Sequence, residues 1–342
     1  MMTSQIDEIN AKILKDLLKD GRKSFVEIAE ECKTSKDVIA KRYKQMQSKG
    51  IVVGATILNS PACYDGNLLA WCYIFAQPNS AEKVLPLALK IPQVITVYPV
   101  GIKPSLAAVV VLKNIHELDH VKQSLKMLPF VVGLETQVLT GIRNNPDNLS
   151  VLIPAKDSEV PKHIDEESKA KSGVKINRKI DGIDKKIIER LLINSRVPFN
   201  RVAVDLGLST DTIVRRYEKL VRNGDLRVVI QVNPTKIGYK AFVIFSINCS
   251  QDNLPMIDSL AEIPDVNFVH KTSGKFDYVV SLMVKDVEQL LAVQEKITSI
   301  AGLSGMETSI GRIFGVWPLP GEFISNKNLY SKNRENAGAI AT

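Results

Sequence analysis

Hydrophobic residues in the first fifty positions recur at the spacing of amphipathic helices. Apolar residues at every third or fourth position predict a first helix over residues 6–20 and a short second helix over residues 25–32. Ser35 is a suitable N-cap for a third helix of about 13 residues. The inward-facing stripe of that third helix consists of Ile39, Tyr43 and Met46. Three short helices, the last two joined by a tight turn, predict a helix-turn-helix unit.

This pattern occurs twice in the chain. Residues 180–226 align with residues 6–52 without a gap, at an offset of 174 positions, and 16 of the 47 aligned positions are identical. A gapless repeat of this length indicates a duplicated folding unit. In the tight turn the second copy has Gly207 where the first has Lys33, and glycine adopts positive φ angles more readily.

A second kind of module follows each helix-turn-helix unit, after a short extended segment at 52–58 or 226–232, and it is also repeated. Its segments are predicted to follow the order β-α-β-β-α-β, which is the ferredoxin-like split unit. In the first copy the predicted strands are 69–75, 94–99, 106–112 and 131–139, and the predicted helices are 81–90 and 115–127. In the second copy the predicted strands are 241–247, 266–271, 278–284 and 303–310, and the predicted helices are 254–262 and 287–300.

The sequence therefore predicts an α+β fold in which a winged-type helix-turn-helix unit and a ferredoxin-like module are duplicated in one chain. A polar, proline-containing segment with little periodicity is predicted to be a linker, and the last residues are predicted to be a flexible tail. The predicted boundaries are helix-turn-helix 1 at 1–52, module 1 at 53–143, the linker at 144–178, helix-turn-helix 2 at 179–227, module 2 at 228–323 and the tail at 324–342.

Composition adds a weak preference for a polyanionic partner. The 342 residues carry a formal net charge of +8. The four cysteines show no paired spacing, so we expect reduced thiols in a reducing compartment. The N-terminus lacks the pattern of a signal peptide, and the apolar runs are too short to cross a bilayer. We therefore expect a cytoplasmic protein with no membrane partner.

The third helix of each helix-turn-helix unit is the predicted DNA-reading element, because its N-terminal part faces base edges in the major groove. Six basic residues and one acidic residue lie between Lys33 and Lys49, a balance that suits phosphate contacts. Either Lys41 or Arg215 can pair with guanine. The predicted DNA-binding residues are Ser35, Lys36, Asp37, Ala40, Lys41, Arg42, Lys44, Ser209, Thr210, Asp211, Val214, Arg215 and Arg216.

Some of these residues have a second interpretation. We expect Ser35 and Ser209 to serve as N-caps rather than as base contacts. Arg42 and Arg216 either bind phosphate or bridge to an acidic neighbour, and the whole motif can instead be a protein-contact module or a solvated charged face. The outward residues differ between the copies, so we expect two unequal half-sites, the first recognised more electrostatically.

The chain resembles the Lrp/AsnC, or feast/famine, family of transcription regulators. The resemblance is carried by Ile180-Asp181, Leu206 to Ser209, Arg216, Gly224 and Ser273 to Tyr278, and it covers nearly the whole chain twice, apart from linker and tail. Family members usually carry one copy, so this chain resembles a covalent pseudodimer. The resemblance implies double-stranded DNA as a partner, an amino acid or related metabolite as effector, and assembly into a homo-oligomer of pseudodimers.

The resemblance also implies an effector site at a Gly-x-x-Asp loop in module 2. Its residues are Gly274, Lys275 and Asp277, where backbone amides and the carboxylate would hold an amino group and the lysine a carboxylate. The same loop can instead be a plain hairpin turn with an Asx-type hydrogen bond. In module 1, Ile102 and Ser105 stand opposite the glycine and the aspartate, so we expect no small ligand there.

One motif points toward an enzyme. Residues 116–120 match the His-Glu-x-x-His pattern of zinc proteases, but their counterparts at 288–292 contain no metal ligand and no third ligand follows. We interpret the motif as the polar surface of an amphipathic helix, and we predict no metal, no cofactor and no catalytic residue. The alternative is a siroheme decarboxylase-like enzyme, since tandem Lrp-like chains resemble that class and Arg196 to Phe199 is faintly similar to it.

Overall fold

A computed structural model of the chain describes residues 6–60, 63, 68–100, 105–152, 180–250, 256–313 and 315–319. The helices of the first half are α1 Glu8–Lys19, α2 Phe25–Glu31, α3 Lys36–Ser48, α4 Ala81–Ala88 and α5 His116–Lys126. Those of the second half are α6 Gly182–Ile193, α7 Phe199–Leu206, α8 Thr210–Arg222, α9 Met256–Ala261 and α10 Val287–Thr298. The strands are β1 Val52–Asn59, β2 Leu68–Ala76, β3 Val94–Pro99, β4 Leu106–Leu112, β5 Val131–Asn144, β6 Leu226–Val232, β7 Ala241–Cys249, β8 Val266–Ser273, β9 Tyr278–Val284 and β10 Leu303–Arg312.

Both helix-turn-helix units form where the sequence predicts them. The tight turn before α3 places Lys33 at φ 52°, and the corresponding turn before α8 places Gly207 at φ 64°. A lysine therefore occupies the left-handed conformation that glycine adopts at lower cost. Buried Ile39 and Ile213 lie at the same place in the two units and anchor α3 and α8 to the helices that precede them.

Eight strands form one antiparallel sheet in the order β10-β7-β9-β8-β5-β2-β4-β3. Each half of that order is the strand arrangement of a ferredoxin-like module, and β5 pairs with β8 to join the two modules. Arg143 on β5 also donates two hydrogen bonds to Asp258 on α9, at 2.8 and 2.7 Å, so a side-chain ion pair crosses the same seam.

The pleat divides each module into two apolar layers. On β4, Val110 packs with the helices of module 1, whereas Val109 points to the opposite, inner face of the sheet. On β7 the same alternation sends Val243 toward the helices of module 2 and Phe242 toward the inner face. Residues of both inner faces line one shared cavity.

The two edge strands of the sheet approach each other. A Cβ atom at Gly311, near the end of β10, would lie 2.3 Å from the carbonyl oxygen of Val100, which follows β3. Only a residue without a side chain permits this contact, so the glycine allows the sheet to curl back on itself.

The segment after each helix-turn-helix unit pairs with its counterpart from the other half. Strands β1 and β6 form a separate two-stranded antiparallel sheet. Helix α1 contacts β6 and helix α6 contacts β1, so each helix-turn-helix unit packs on the strand of the other copy. Gly21 lies at this junction, and its amide donates a 2.8 Å hydrogen bond to the carbonyl of Val228.

The structure differs from the predicted linker at its N-terminal end. Strand β5 continues to residue 144, and a short 3-10 helix follows at Ser150–Leu152. Leu149 and Leu152 are buried in the same core as helix α1, and Asn148 donates hydrogen bonds to three backbone carbonyls of module 2. These residues are part of the folded core. Residues 153–178 of the predicted linker and the predicted tail at 324–342 lie outside the described residues.

Candidate nucleic-acid interface

Serine side chains set the start of both predicted DNA-reading helices. The Oγ atom of Ser35 accepts a hydrogen bond from the amide of Val38 at 3.4 Å, and that of Ser209 accepts one from Thr212 at 3.2 Å. Both serines are therefore N-caps, as expected.

The outward faces of α3 and α8 are accessible. Lys36, Asp37, Lys41 and Lys44 are exposed on α3, and Ala40 is half-buried. On α8, Thr210, Asp211 and Arg215 are exposed and Val214 is half-buried. The structure thus brings each predicted set together on one surface. The first surface is lysine-rich, whereas the second presents a single arginine between shorter side chains.

Arg42 and Arg216 occupy equivalent ion pairs inside their units. Arg42 donates to Asp7 at 2.5 Å, and Arg216 donates to both Asp181 and Asp184 at 2.7 Å. The guanidinium of Arg216 keeps the pKa of Asp181 below its usual value. Of the two interpretations of these arginines, the contact observed is the bridge to an acidic neighbour, which ties the third helix of each unit to the start of the first.

A reciprocal exchange of arginines joins the two helix-turn-helix units. Arg22 of the first unit donates hydrogen bonds to the carbonyls of Ser195 and Val197, at 2.8 and 3.0 Å, and lies 4.1 Å above the ring of Phe199. Arg196 of the second unit donates to the hydroxyl of Tyr43 at 3.0 Å. Burial lowers the pKa of Arg22, and the ring faces and carbonyl oxygens around it favour the retained charge.

Sequence reasoning did not assign this exchange, although a signal was present. Arg22, Phe25 and Tyr43 are each identical in the second copy, at Arg196, Phe199 and Tyr217. Each arginine lies over the rings of the opposite copy, with Arg196 5.7 and 5.2 Å from the centroids of Phe25 and Tyr43. In the sequence, positions that are identical because they contact the other copy cannot be distinguished from positions that are identical because they form the core of each copy. We define these six residues as the arginine clamp.

The predicted effector loop follows β8. The carboxylate of Asp277 accepts a 2.8 Å hydrogen bond from the amide of Cys249. Lys275 forms an ion pair with Glu307 at 2.9 Å, and Gly274 lies against Gln137 of module 1. The bond to Asp277 reaches a neighbouring strand, and the exposed Lys275 has a carboxylate partner from the protein itself.

Several other expectations concern sites outside this surface. Positions 101–104 of the first module, including Ile102, lie outside the described residues. His116 and His120 are exposed on α5, and Glu117 accepts a hydrogen bond from the amide of Lys113. Among the described residues, no group of three or more His, Cys, Asp or Glu side chains is arranged to hold a metal ion. All four cysteines are free thiols.

No helix in the described ranges is long and apolar enough to span a membrane.

Comparison with protein families places known domains on both halves. The AsnC-type helix-turn-helix domain matches residues 6–47 and 180–221. The Lrp/AsnC ligand binding domain matches residues 241–311, which lie in the second module and include the predicted effector loop.

Individual relatives are similar over less than half of the chain. The HTH-type transcriptional regulator FL11 of Pyrococcus furiosus is 31% identical over 134 residues, which are 38% of this chain and 88% of that protein. The HTH-type transcriptional regulator LysM of Saccharolobus solfataricus is 28% identical over 134 residues, 39% of this chain and 94% of that protein.

Among solved structures, the siroheme decarboxylase NirDL is similar along the whole chain. Its TM-score is 0.57 at 16% sequence identity, and the match covers 98% of this chain and 100% of that one. At this identity the likeness shows a shared fold and carries no statement about function.

Proposed function

The chain belongs to the Lrp/AsnC family, and we propose that it is a sequence-specific DNA-binding transcription regulator whose two tethered helix-turn-helix units bind one duplex. The two units face DNA as an intrachain pseudodimer. Because both units lie on one chain, binding of the first raises the effective concentration of the second without any partner protein.

The arginine clamp is the observation that supports this proposal most strongly. It fixes the two units relative to each other, together with the sheet of β1 and β6. A fixed pair of third helices suits half-sites separated by a whole number of DNA turns. A pair of unrelated helical domains would have no need for a fixed separation.

The two reading surfaces favour different contacts. On α3, Lys36, Lys41 and Lys44 provide charge for phosphate oxygens, which sets affinity with little sequence preference. On α8, Arg215 is the side chain suited to a bidentate contact with guanine. We therefore assign most of the base discrimination to the second unit.

The effector loop is the proposed regulatory site. An amino acid or related metabolite would place its amino group near Asp277 and its carboxylate near Lys275. Lys275 must then exchange Glu307 for the ligand, which couples binding to the outer edge strand β10. Assembly of pseudodimers into a homo-oligomer, in the cytoplasm where DNA is accessible, belongs to the same proposal.

The test is selection of binding sites from random duplex DNA by the full chain, followed by fluorescence anisotropy at two salt concentrations. We expect a selected sequence whose affinity falls steeply with salt. Lys41→Ala should reduce the salt slope by about 1. Lys126→Ala is the matched control, because it removes one exposed positive charge from α5 of module 1 and should change neither slope nor affinity. Failure to enrich any sequence would overturn the proposal.

The alternative function, a siroheme decarboxylase-like enzyme, is favoured by the whole-chain fold match alone. Siroheme is a polycarboxylate and needs cationic side chains to hold it. Purified protein mixed with siroheme should show no shift in the tetrapyrrole absorption spectrum. A saturable shift would favour the enzyme over the regulator.

A further inference from the structure

A cavity lies between the inner faces of the two ferredoxin-like modules. It encloses a volume of about 60 Å³ and opens to solvent at its mouth. Both modules contribute to its wall: Trp71 and Tyr98 come from module 1, and Phe242, Phe268 and His270 come from module 2. None of the three residues of the proposed effector loop lines it.

The wall is aromatic on several sides. The ring of Trp71 lies 6.0 Å from that of Tyr98 and 5.7 Å from that of His270, and Phe268 lies 5.5 Å from His270, each distance joining ring centroids. Ring faces and edges at these separations favour another flat ring placed among them.

His270 is a buried polar group of this wall. It is 7% exposed, and no hydrogen-bond partner of its imidazole lies among the described residues. Burial lowers the pKa of His270 to about 4, so the imidazole is neutral at pH 7 and has one donor and one acceptor. The indole Nε1 of Trp71 is also buried without an acceptor. Unpaired donors in an apolar wall leave a place for an acceptor atom.

Charge is absent from the lining residues that the structure describes. Their polar side chains are the hydroxyls of tyrosines and Ser281, the indole of Trp71 and the imidazole of His270. A carboxylate or an ammonium group would lose its hydration here with no opposite charge to replace it, at a high cost in free energy. The wall therefore selects against amino acids and other zwitterions.

We propose that this cavity binds an uncharged, planar aromatic molecule that carries a hydrogen-bond acceptor. The ring stacks among the aromatic side chains, and its acceptor atom accepts a hydrogen bond from the N–H of the His270 imidazole. This is a second ligand site, distinct in place and in ligand chemistry from the effector loop, and it does not depend on DNA binding. Since both modules form the wall, the occupant contacts the seam that holds them together.

The test is equilibrium dialysis of the full chain, without DNA, against three bicyclic probes of similar shape. Coumarin is neutral and has a carbonyl acceptor, naphthalene is neutral and has none, and coumarin-3-carboxylate is an anion. We expect coumarin to bind with a Kd below about 0.5 mM. Naphthalene and the anion should each bind about tenfold more weakly or worse, because one lacks the acceptor and the other is charged.

Three variants connect binding to the cavity. Ala107→Leu fills the cavity from β4 and should abolish binding of both neutral probes. His270→Phe keeps a ring and should reduce the affinity for coumarin to that for naphthalene. Retained binding of naphthalene by this variant would show that the cavity wall has folded. His270→Gln restores a donor and should recover part of the coumarin preference, by several-fold.

Three results would overturn the proposal: coumarin does not bind, it binds Ala107→Leu as tightly as the unmodified chain, or coumarin-3-carboxylate binds as tightly as coumarin. Each of these results leaves the DNA-binding proposal unaffected, because that proposal is tested by site selection without any probe.

Discussion

Loss of the Arg22 side chain should allow the two helix-turn-helix units to change their relative orientation. Arg22→Ala removes two hydrogen bonds from a charged donor to the carbonyls of Ser195 and Val197. At about 1.5 kcal/mol for each bond, the loss is about 3 kcal/mol. Loss of the cation–π contact with the ring of Phe199 adds about 0.5 kcal/mol to this cost, because the site is partly exposed. Strands β1 and β6 still join the units at their base, so we expect the fold to persist.

The assay compares two duplexes, one with the selected half-sites and one with 5 base pairs inserted between them. The insertion turns one half-site to the opposite face of DNA, so binding both requires the clamp to break. The sum of about 3.5 kcal/mol corresponds to a preference of roughly a few hundredfold for the uninserted duplex, and Arg22→Ala should lose most of it. Arg196→Ala, which removes one hydrogen bond to Tyr43, should lose a smaller part.

Arg312→Ala is the control for the clamp variants. It removes the same side chain and the same charge from an exposed position on β10, far from the clamp in the chain, and should keep the full spacing preference. The reasoning is refuted if Arg22→Ala discriminates between the duplexes as strongly as the unmodified chain.

Three further variants test the packing of the modules. Gly311→Ala places a Cβ 2.3 Å from the carbonyl oxygen of Val100, so urea unfolding should show a clear loss of stability, whereas Gly315→Ala, with open space around it, should show little; equal losses would contradict the close approach. Leu149→Ala should cost about 3 kcal/mol, because this fully buried side chain belongs to the core and not to a linker; a cost near zero would contradict that placement. His270 has a folded-state pKa of about 4, below its unfolded value, so stability is complete above pH 6.5 and should fall by about 2 kcal/mol at pH 5. His270→Phe should remove that part of the pH dependence, and an unchanged slope would contradict the burial of a neutral imidazole.

Local sequence signals predicted the elements of the fold well. Strands β3, β4, β6 and β9 have the predicted bounds, and α3 has the predicted length after its Ser35 cap. These elements depend on periodicity and capping, which involve residues close together in the chain. Membership of the Lrp/AsnC family was likewise predicted from residues 180–278.

Contacts between the copies were not predicted. The pairing of β5 with β8, the pairing of β1 with β6 and the arginine clamp each join residues more than a hundred positions apart. Nothing in the local pattern of Leu149 and Leu152 distinguished a packed segment from a linker, since the preceding residues are polar and contain proline. Their burial depends on the position of module 2, which the local sequence around them does not specify.

The aromatic cavity escaped sequence reasoning for a related reason. His270 lies on a predicted strand, and Trp71 lies 199 positions earlier in the chain. The two rings meet at 5.7 Å because β2 and β8 pair with opposite edges of β5. The residues predicted to face DNA, in contrast, belong to single helices, and their exposure agrees with the helical spacing.

The central claim, two tethered and unequal reading units on one chain, is tested most directly by DNase footprinting of the selected duplex with the full chain, Lys41→Ala and Arg215→Ala. We expect two adjacent protected half-sites of different sequence. Arg215→Ala should relax base preference in one of them, and Lys41→Ala should weaken protection of the other with little change in its sequence preference. Two identical half-sites that tolerate either substitution equally, or a single protected half-site, would contradict it.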